Sequence, residues 1–285
     1  MLPVPQLDDV EVYCASSSDA DPDLIAHPPA FVQLGRFGDL LLLLPAWKAW
    51  ADLVGAPIHV VSTQEFGTVL EGASYVAPTL LNINWQTGIR TAMEKASELS
   101  PHVVVTQLHG ANWRPPQPDS LASYSLTMWK RTGFLRYYAE LPLVMDQRHP
   151  GRETLLARRW VRTKRPLILV NLDGWTSPIG RDRKQALGAL LDALPGVEVL
   201  HLDRARAVRV YDQLALMDIA AGLLTCDTMP LHLVSASAVP YVALVRDDGQ
   251  SGSIPKGNCV LRVGYSEIAQ RLPEIERALH SFLHV

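Results

Sequence analysis

The sequence predicts an α/β protein with two domains, each built on a parallel sheet. Three observations carry that expectation: the length, the alternation of short apolar runs with helical stretches, and a break in that alternation near the middle. At 285 residues, 48% hydrophobic and 19% charged, the chain exceeds the usual size of one core and has enough apolar surface to bury two. The apolar runs lie at 31–34, 58–61, 102–108, 167–172, 197–202, 222–226 and 241–245. Runs with helical segments between them argue for parallel strands joined by crossover helices. Most are apolar almost throughout, as strands must be when helices cover both faces of a sheet.

The break falls in LPLVMDQRHPGRETLLARRWVRTKRP, residues 141–166, where Pro142, Pro150 and Gly151 interrupt the pattern. It places a domain of 1–155 before one of 156–265. The tail carries Ile268, Leu272, Ile275, Leu279 and Phe282 three or four residues apart, so 266–285 reads as an amphipathic helix. ANWRPPQPDS, 111–120, has three prolines and reads as a loop at the carboxyl end of the run 102–108, the ligand-facing edge of an open α/β sheet.

Composition narrows function mainly by exclusion. A formal net charge of −3 supplies no global field toward nucleic acid or an acidic membrane. Residues 1–150 hold nine basic against fifteen acidic residues, and 151–285 hold seventeen against fourteen; the second half suits a phosphate-bearing ligand. Cys14, Cys226 and Cys259 are too scattered for a disulfide framework or a zinc site. MLPVPQLDDVEVY lacks the signature of a signal peptide, and the apolar run at 40–47 is too short to span a bilayer. The expectation is a cytoplasmic protein without a membrane span.

Three stretches after expected strands carry candidate chemistry. Gly35, Arg36, Phe37, Gly38 and Asp39 make a tight turn into a helix from about Leu40 to Leu53. Two glycines permit close approach of backbone to ligand, and Asp39 at the helix start is either a cap or an ionised general base. Cys226 to His232, CDTMPLH, leads into a second helical stretch. Pro230 suits its first turn, Asp227 or Thr228 its cap, and its backbone amides a diphosphate. Asn171 to Lys184 offers Thr176 and Ser177 hydroxyls beside Arg181, Arg183 and Lys184, the groups that phosphate binding needs. A fourth pattern, Asp19, Asp21 and Asp23, has metal-chelating spacing without phosphate context and reads as a solvated loop.

GDLLLLLPAWKAW at 38–50 and Asp227, Thr228 and His232 followed by LVSASAVPYVALV resemble the family 9 glycosyltransferases, the ADP-heptose:lipopolysaccharide heptosyltransferases and their relatives. The resemblance runs from about Phe31 to Val245, and Asn171 to Lys184 matches the family's donor loop more loosely. It implies a GT-B fold of two facing Rossmann-like domains, with the final helix packed back on the first. It implies inverting transfer of a sugar from a nucleoside-diphosphate sugar, with no cofactor and no required metal. Asp39 would be the base, and Asp227, Thr228, Met229, His232, Thr176, Ser177, Arg181 and Lys184 would hold the donor diphosphate. Arg36, Gly38 and Trp113 would lie on the acceptor side, the acceptor being a glycan or glycolipid. Met229 stands where many relatives carry Gly, which motivates an alternative: a nucleotide-sugar-binding protein without turnover. The basic run 152–165, with Trp160 inside it, motivates another, a polyanionic acceptor such as hydroxymethylated DNA.

Overall fold

The computed structural model describes residues 22–111, 121–138, 140–174, 178–247 and 257–284. The chain divides into two compact units, Met1–Gln147 and Arg148–Val285. That division falls just ahead of the helix Pro150–Trp160, whereas the sequence reading put it inside the helix.

The first unit runs α1 (Pro22–Ala26), β1 (Ala30–Val32), α2 (Phe37–Val54), β2 (Ile58–Thr63), β3 (Val76–Leu81), α3 (Ile89–Ser97), β4 (Val103–Val105) and α4 (Leu121–Thr132). Its four strands are parallel and lie in the order β3-β2-β1-β4. Every residue of β1 and β4 is buried, because the faces of these strands are covered by the apolar sides of α2, α3 and α4. The helix α2 buries Leu40, Leu41, Leu43, Leu44, Trp47 and Trp50. Two indoles stitch it to α4: Trp50 Nε1 donates to the Thr132 carbonyl at 2.7 Å, and Trp129 Nε1 to the Leu42 carbonyl at 3.0 Å. Each satisfies a buried polar atom that would otherwise cost on the order of 1–3 kcal/mol.

The second unit runs α5 (Pro150–Trp160), β5 (Leu167–Asn171), α6 (Arg181–Asp192), β6 (Glu198–His201), α7 (Leu214–Met217), β7 (Gly222–Cys226), α8 (Met229–Leu233), β8 (Tyr241–Val245), β9 (Cys259–Gly264) and α9 (Leu272–Ser281). Its sheet is parallel, in the order β6-β5-β7-β8-β9. The central strands β5, β7 and β8 are buried at every position. Seven strands therefore fall on the apolar runs, while β3 and β9 lie outside them.

The tail departs from expectation. Tyr265–Glu267 is a short 3₁₀ turn, and the α-helix proper is only Leu272–Ser281. Within the second unit, Ile268, Ile275, Ala278, Leu279 and Phe282 enter the core with Ile168, Leu224 and Val242. The physical reason is a local vacancy. Gly222 has no side chain, and a Cβ there would come 2.0 Å from the Phe282 ring, so the start of β7 supplies a slot that the Phe282 ring fills.

Candidate functional site

In each unit the strand order reverses at one place, and ligands of open α/β sheets collect outside the carboxyl ends of strands at such a switch point. In the first sheet the switch lies between β1 and β4, and in the second between β5 and β7. Asp39 follows β1, and the stretches after Asn171 and Cys226 follow β5 and β7.

The loop after β1 is held by side chains from neighbouring strands. Gln107 Oε1 accepts from the Leu34 and Gly35 amides at 2.7 and 3.0 Å, and its Nε2 donates to the Trp85 and His109 carbonyls. Gln33 Nε2 donates to the Gly35 carbonyl at 3.0 Å, and Thr63 Oγ1 to the Leu34 carbonyl at 3.0 Å. Gly35 lets Trp85 approach, since a Cβ there would lie 2.9 Å from its ring. The Arg36 guanidinium then sits 5.2 Å from the centre of the same ring. These contacts hold Arg36 at φ 20°, ψ 154°, where it is the only non-glycine with positive φ among the described residues. Such backbone costs on the order of 1–3 kcal/mol and persists only when its surroundings enforce it. Replacing Gln107 with Leu would strand two buried amides; we expect it to lower stability by about 2–4 kcal/mol, read by urea denaturation.

Asp39 is placed differently from the sequence reading. The helix begins at Phe37 rather than Leu40, so Gly38 and Asp39 lie inside its first turn, and the residue at the cap position is Arg36. The tight turn resolves into one strained arginine, and Gly38 needs no unusual backbone. The Tyr124 hydroxyl of α4 points at Asp39 Oδ2 from 3.4 Å, the outer limit of a hydrogen bond. Burial pushes the Tyr124 hydroxyl well above its ordinary value, and the Asp39 carboxylate adds to the rise. Tyr124 therefore stays a neutral donor facing Asp39. His109 stacks on Tyr124 with ring centres 5.0 Å apart; partial desolvation, then the Arg36 charge, hold it below its ordinary value. The edge thus gathers Arg36, Asp39, His109 and Tyr124, with Trp85 beneath Arg36. Sequence reasoning missed Tyr124, which reaches Asp39, and His109, which stacks on Tyr124; neither carries a motif, and both are brought here by the pairing of β1 with β4. Trp113 lies outside the described residues.

At the second switch point, Asn171 joins the two strand ends. Its Nδ2 donates to Thr228 Oγ1 at 2.7 Å, and Thr228 Oγ1 lies 3.2 Å from the Cys226 carbonyl, to which it donates. Thr228 does occupy the cap position of α8, yet its hydroxyl makes no capping bond; the expected cap is corrected because Asn171 and Cys226 claim that oxygen. The Tyr265 hydroxyl, pushed up by burial, bonds the Asp227 backbone and Cys226. Pro230 has no N–H, and the Leu231 amide bonds the Thr228 carbonyl at 3.0 Å. Asp227 and His232 face one another at 3.9 Å, each side chain 12% exposed. Burial lowers the His232 pKa against the opposing pull of Asp227, so the imidazole is neutral at ordinary pH and offers a donor rather than a cation. Burial pushes the Cys226 thiol up to about 11, which leaves it unreactive.

The cations of this edge come from α6. Lys184 pairs with Asp173, just beyond Asn171, and its charge also reaches Cys226, so the β5 and β7 loops share one electrostatic neighbourhood. Arg181 and Arg183 belong to the first turn of the same helix, where the positive end of the macrodipole disfavours cations and favours an anion. Thr176 and Ser177 fall outside the described residues. So do Asp19 and Asp21; Asp23 lies 3.1 Å from His102. Among the described residues, no three His, Cys, Asp or Glu side chains converge as a metal site, and no helix is long and apolar enough to cross a membrane.

No protein-family model matches the chain, and no curated protein matches its sequence. Solved structures do resemble it. The glycosyl transferase family 9 protein from Veillonella parvula is 12% identical over 86% of this chain and 88% of that one, with a TM-score of 0.59. ADP-heptose lipopolysaccharide heptosyltransferase II from E. coli is 14% identical over 90% and 98%, at 0.55. E. coli heptosyltransferase WaaC with ADP is 15% identical over 89% and 99%, at 0.52. The likeness is one of fold: two parallel α/β sheets of the GT-B heptosyltransferase kind.

Proposed function

We propose that the protein is an inverting glycosyltransferase that moves a sugar from a nucleoside-diphosphate sugar to an acceptor hydroxyl, without a required metal. The observation that carries the reading is the coincidence of both candidate motifs with the switch points of their sheets. The GT-B fold supports it, as does the Asp227, Thr228 and His232 pattern on the second unit. WaaC is a structure with ADP, which makes an adenine nucleotide the first donor to try.

In this reading Asp39 takes the proton of the acceptor hydroxyl as its oxygen attacks the anomeric carbon. The bond from that carbon to the diphosphate oxygen breaks as the new glycosidic bond forms, so configuration inverts and the nucleoside diphosphate leaves with the electron pair. Arg181 and Lys184 meet the developing charge on the diphosphate, with the Thr228 backbone amide and the neutral His232 ring donating hydrogen bonds. Lys184 would exchange Asp173 for phosphate. Arg36 and Gly38 face the acceptor, a glycan or glycolipid hydroxyl.

A thermal-shift panel of ADP-, UDP- and GDP-sugars tests the donor assignment. Ligand that binds the folded state raises the melting temperature, by about 2.7 kcal/mol of stabilisation at a hundred times Kd. We expect one nucleotide class to do so, and the double substitution Arg181→Ala and Lys184→Ala to weaken it by about 10–100-fold. No shift with any nucleotide sugar would overturn the donor assignment.

A further inference from the structure

Asp39 lies on α2 and Tyr124 on α4, and hydrogen bonds join the two helices along their length. Trp50 Nε1 donates to the Thr132 carbonyl at 2.7 Å and Trp129 Nε1 to the Leu42 carbonyl at 3.0 Å. Both run from an indole to backbone and hold one helix against the other. The Tyr124 hydroxyl, 3.4 Å from Asp39 Oδ2, is different in kind: it joins two side chains, and one of them is the candidate base.

The phenol ring is braced from its other side. His109 lies nearly parallel to it, with ring centres 5.0 Å apart and planes at 17°. The His109 carbonyl accepts from Gln107 Nε2, and the same glutamine accepts from the Leu34 and Gly35 amides. One side chain thus anchors both the loop that leads to Asp39 and the residue that supports Tyr124.

A carboxylate that acts as a base needs such a partner. The χ2 torsion of Asp is broad, without staggered wells to hold it, and misplacing a reacting group by about 1 Å costs about a hundredfold in rate. A phenylalanine at 124 would supply the same ring; the hydroxyl is what reaches the carboxylate. Burial keeps that hydroxyl protonated, so it donates at ordinary pH.

We propose that Tyr124 is a positioning residue for sugar transfer: its hydroxyl holds Asp39 Oδ2 and so sets the orientation in which the carboxylate meets the acceptor hydroxyl. The proposal rests on the transferase reading of Asp39. Hydrogen bonds to catalytic groups often tighten when a substrate complex forms, and the tightened bond is the one that acts in turnover. The rival role is packing alone, with Asp39 serving as the polar partner that a buried phenol requires.

Tyr124→Phe separates the two, because it keeps the ring and removes the hydroxyl. Turnover is read with a glycan acceptor and whichever ADP-, UDP- or GDP-sugar raises the melting temperature. We expect kcat to fall by about 5–50-fold and the acceptor KM to stay within about twofold, since the lost contact acts in the transition state. A donor to an ionised carboxylate lowers its pKa. Its loss should therefore move the acid limb of the kcat/KM profile up by about one pH unit, with the Arg36 cation and the neutral His109 ring present in both proteins. Carbon-13 NMR of the Asp39 carboxyl reads the same rise without turnover. In an Asp39→Asn background, Tyr124→Phe should cost less than about twofold, because no base remains to be oriented. A melting curve establishes that the variant folds, and 3-fluorotyrosine in place of Tyr124, a stronger donor on the same ring, should move the acid limb down. A wild-type chain that transfers no sugar would overturn the transferase reading and this proposal with it. An active wild type whose turnover, acid limb and Asp39 titration are unchanged by Tyr124→Phe would overturn this proposal alone, as would an equal loss in both backgrounds.

Discussion

Asp39→Asn is expected to lower the turnover of sugar transfer by about 10²–10⁴-fold, the usual contribution of a positioned general base, while the dissociation constant for the donor stays within about twofold. The substitution preserves shape and removes the charge. Asp39 lies in the first turn of α2, where its carboxylate also interacts with the helix dipole, so a loss of about 0.3–1 kcal/mol in stability accompanies it. The two effects separate cleanly in size and in readout. A residue that served only the helix would show the small stability loss with turnover nearly intact. The Tyr124 hydroxyl would keep its position on the amide of the variant, so the arrangement of side chains around position 39 is retained. Donor titration and turnover on one preparation, with a melting curve, distinguish these outcomes.

Phe282→Ala is expected to destabilise the second unit by about 3–5 kcal/mol, as large-to-small changes in buried aromatics do. Phe282 is 4% exposed and closes the core over β7 beside Ile275 and Leu279. Gly222→Ala attacks the same contact from the other side. Its methyl would overlap the ring, and forced overpacking costs about 1–3 kcal/mol. The double variant is the informative one: the new methyl occupies part of the cavity left by the ring, so the two costs should fall short of additivity by about 1–3 kcal/mol. Additive losses in urea denaturation would mean that Phe282 and Gly222 are not in contact, and the location of the terminal helix would be wrong.

What the sequence disclosed follows from how burial is distributed. The runs at β5, β7 and β8 are apolar throughout because both faces of each strand are covered. The strands β3 and β9 lie at sheet edges and are half exposed, so Pro78 in one and Arg262 in the other are tolerated and no continuous apolar run marks them. The terminal helix was legible as an amphipathic pattern; its destination was not, since a hydrophobic stripe does not specify which core receives it. Gly222 was the available hint.

The same division holds at the site. Asp39 and the stretch from Asp227 to His232 were legible because each follows a strand within a short motif. Tyr124 and His109 were not: Tyr124 meets Asp39, and His109 meets Tyr124, only because β4 lies beside β1. Nor does the sequence reveal that Gln107 secures the loop after β1, or that Asn171 takes the Thr228 hydroxyl away from capping. The basic run looked uniform, yet Arg152 is committed to Asp212 while its neighbours remain exposed. Pairing partners far apart in the chain decide such cases, and a linear pattern carries no record of them.

The most direct test of the central claim is to incubate the protein with its stabilising nucleotide sugar and an acceptor glycan in the presence of EDTA. Nucleoside diphosphate release is followed together with the anomeric configuration of the product by NMR. The account predicts one nucleoside diphosphate per new glycosidic bond, with inverted configuration and undiminished rate in the chelator. Retained configuration would contradict Asp39 acting as a base in a single displacement, and tight donor binding without release across a broad acceptor set would identify a binding protein instead of a transferase.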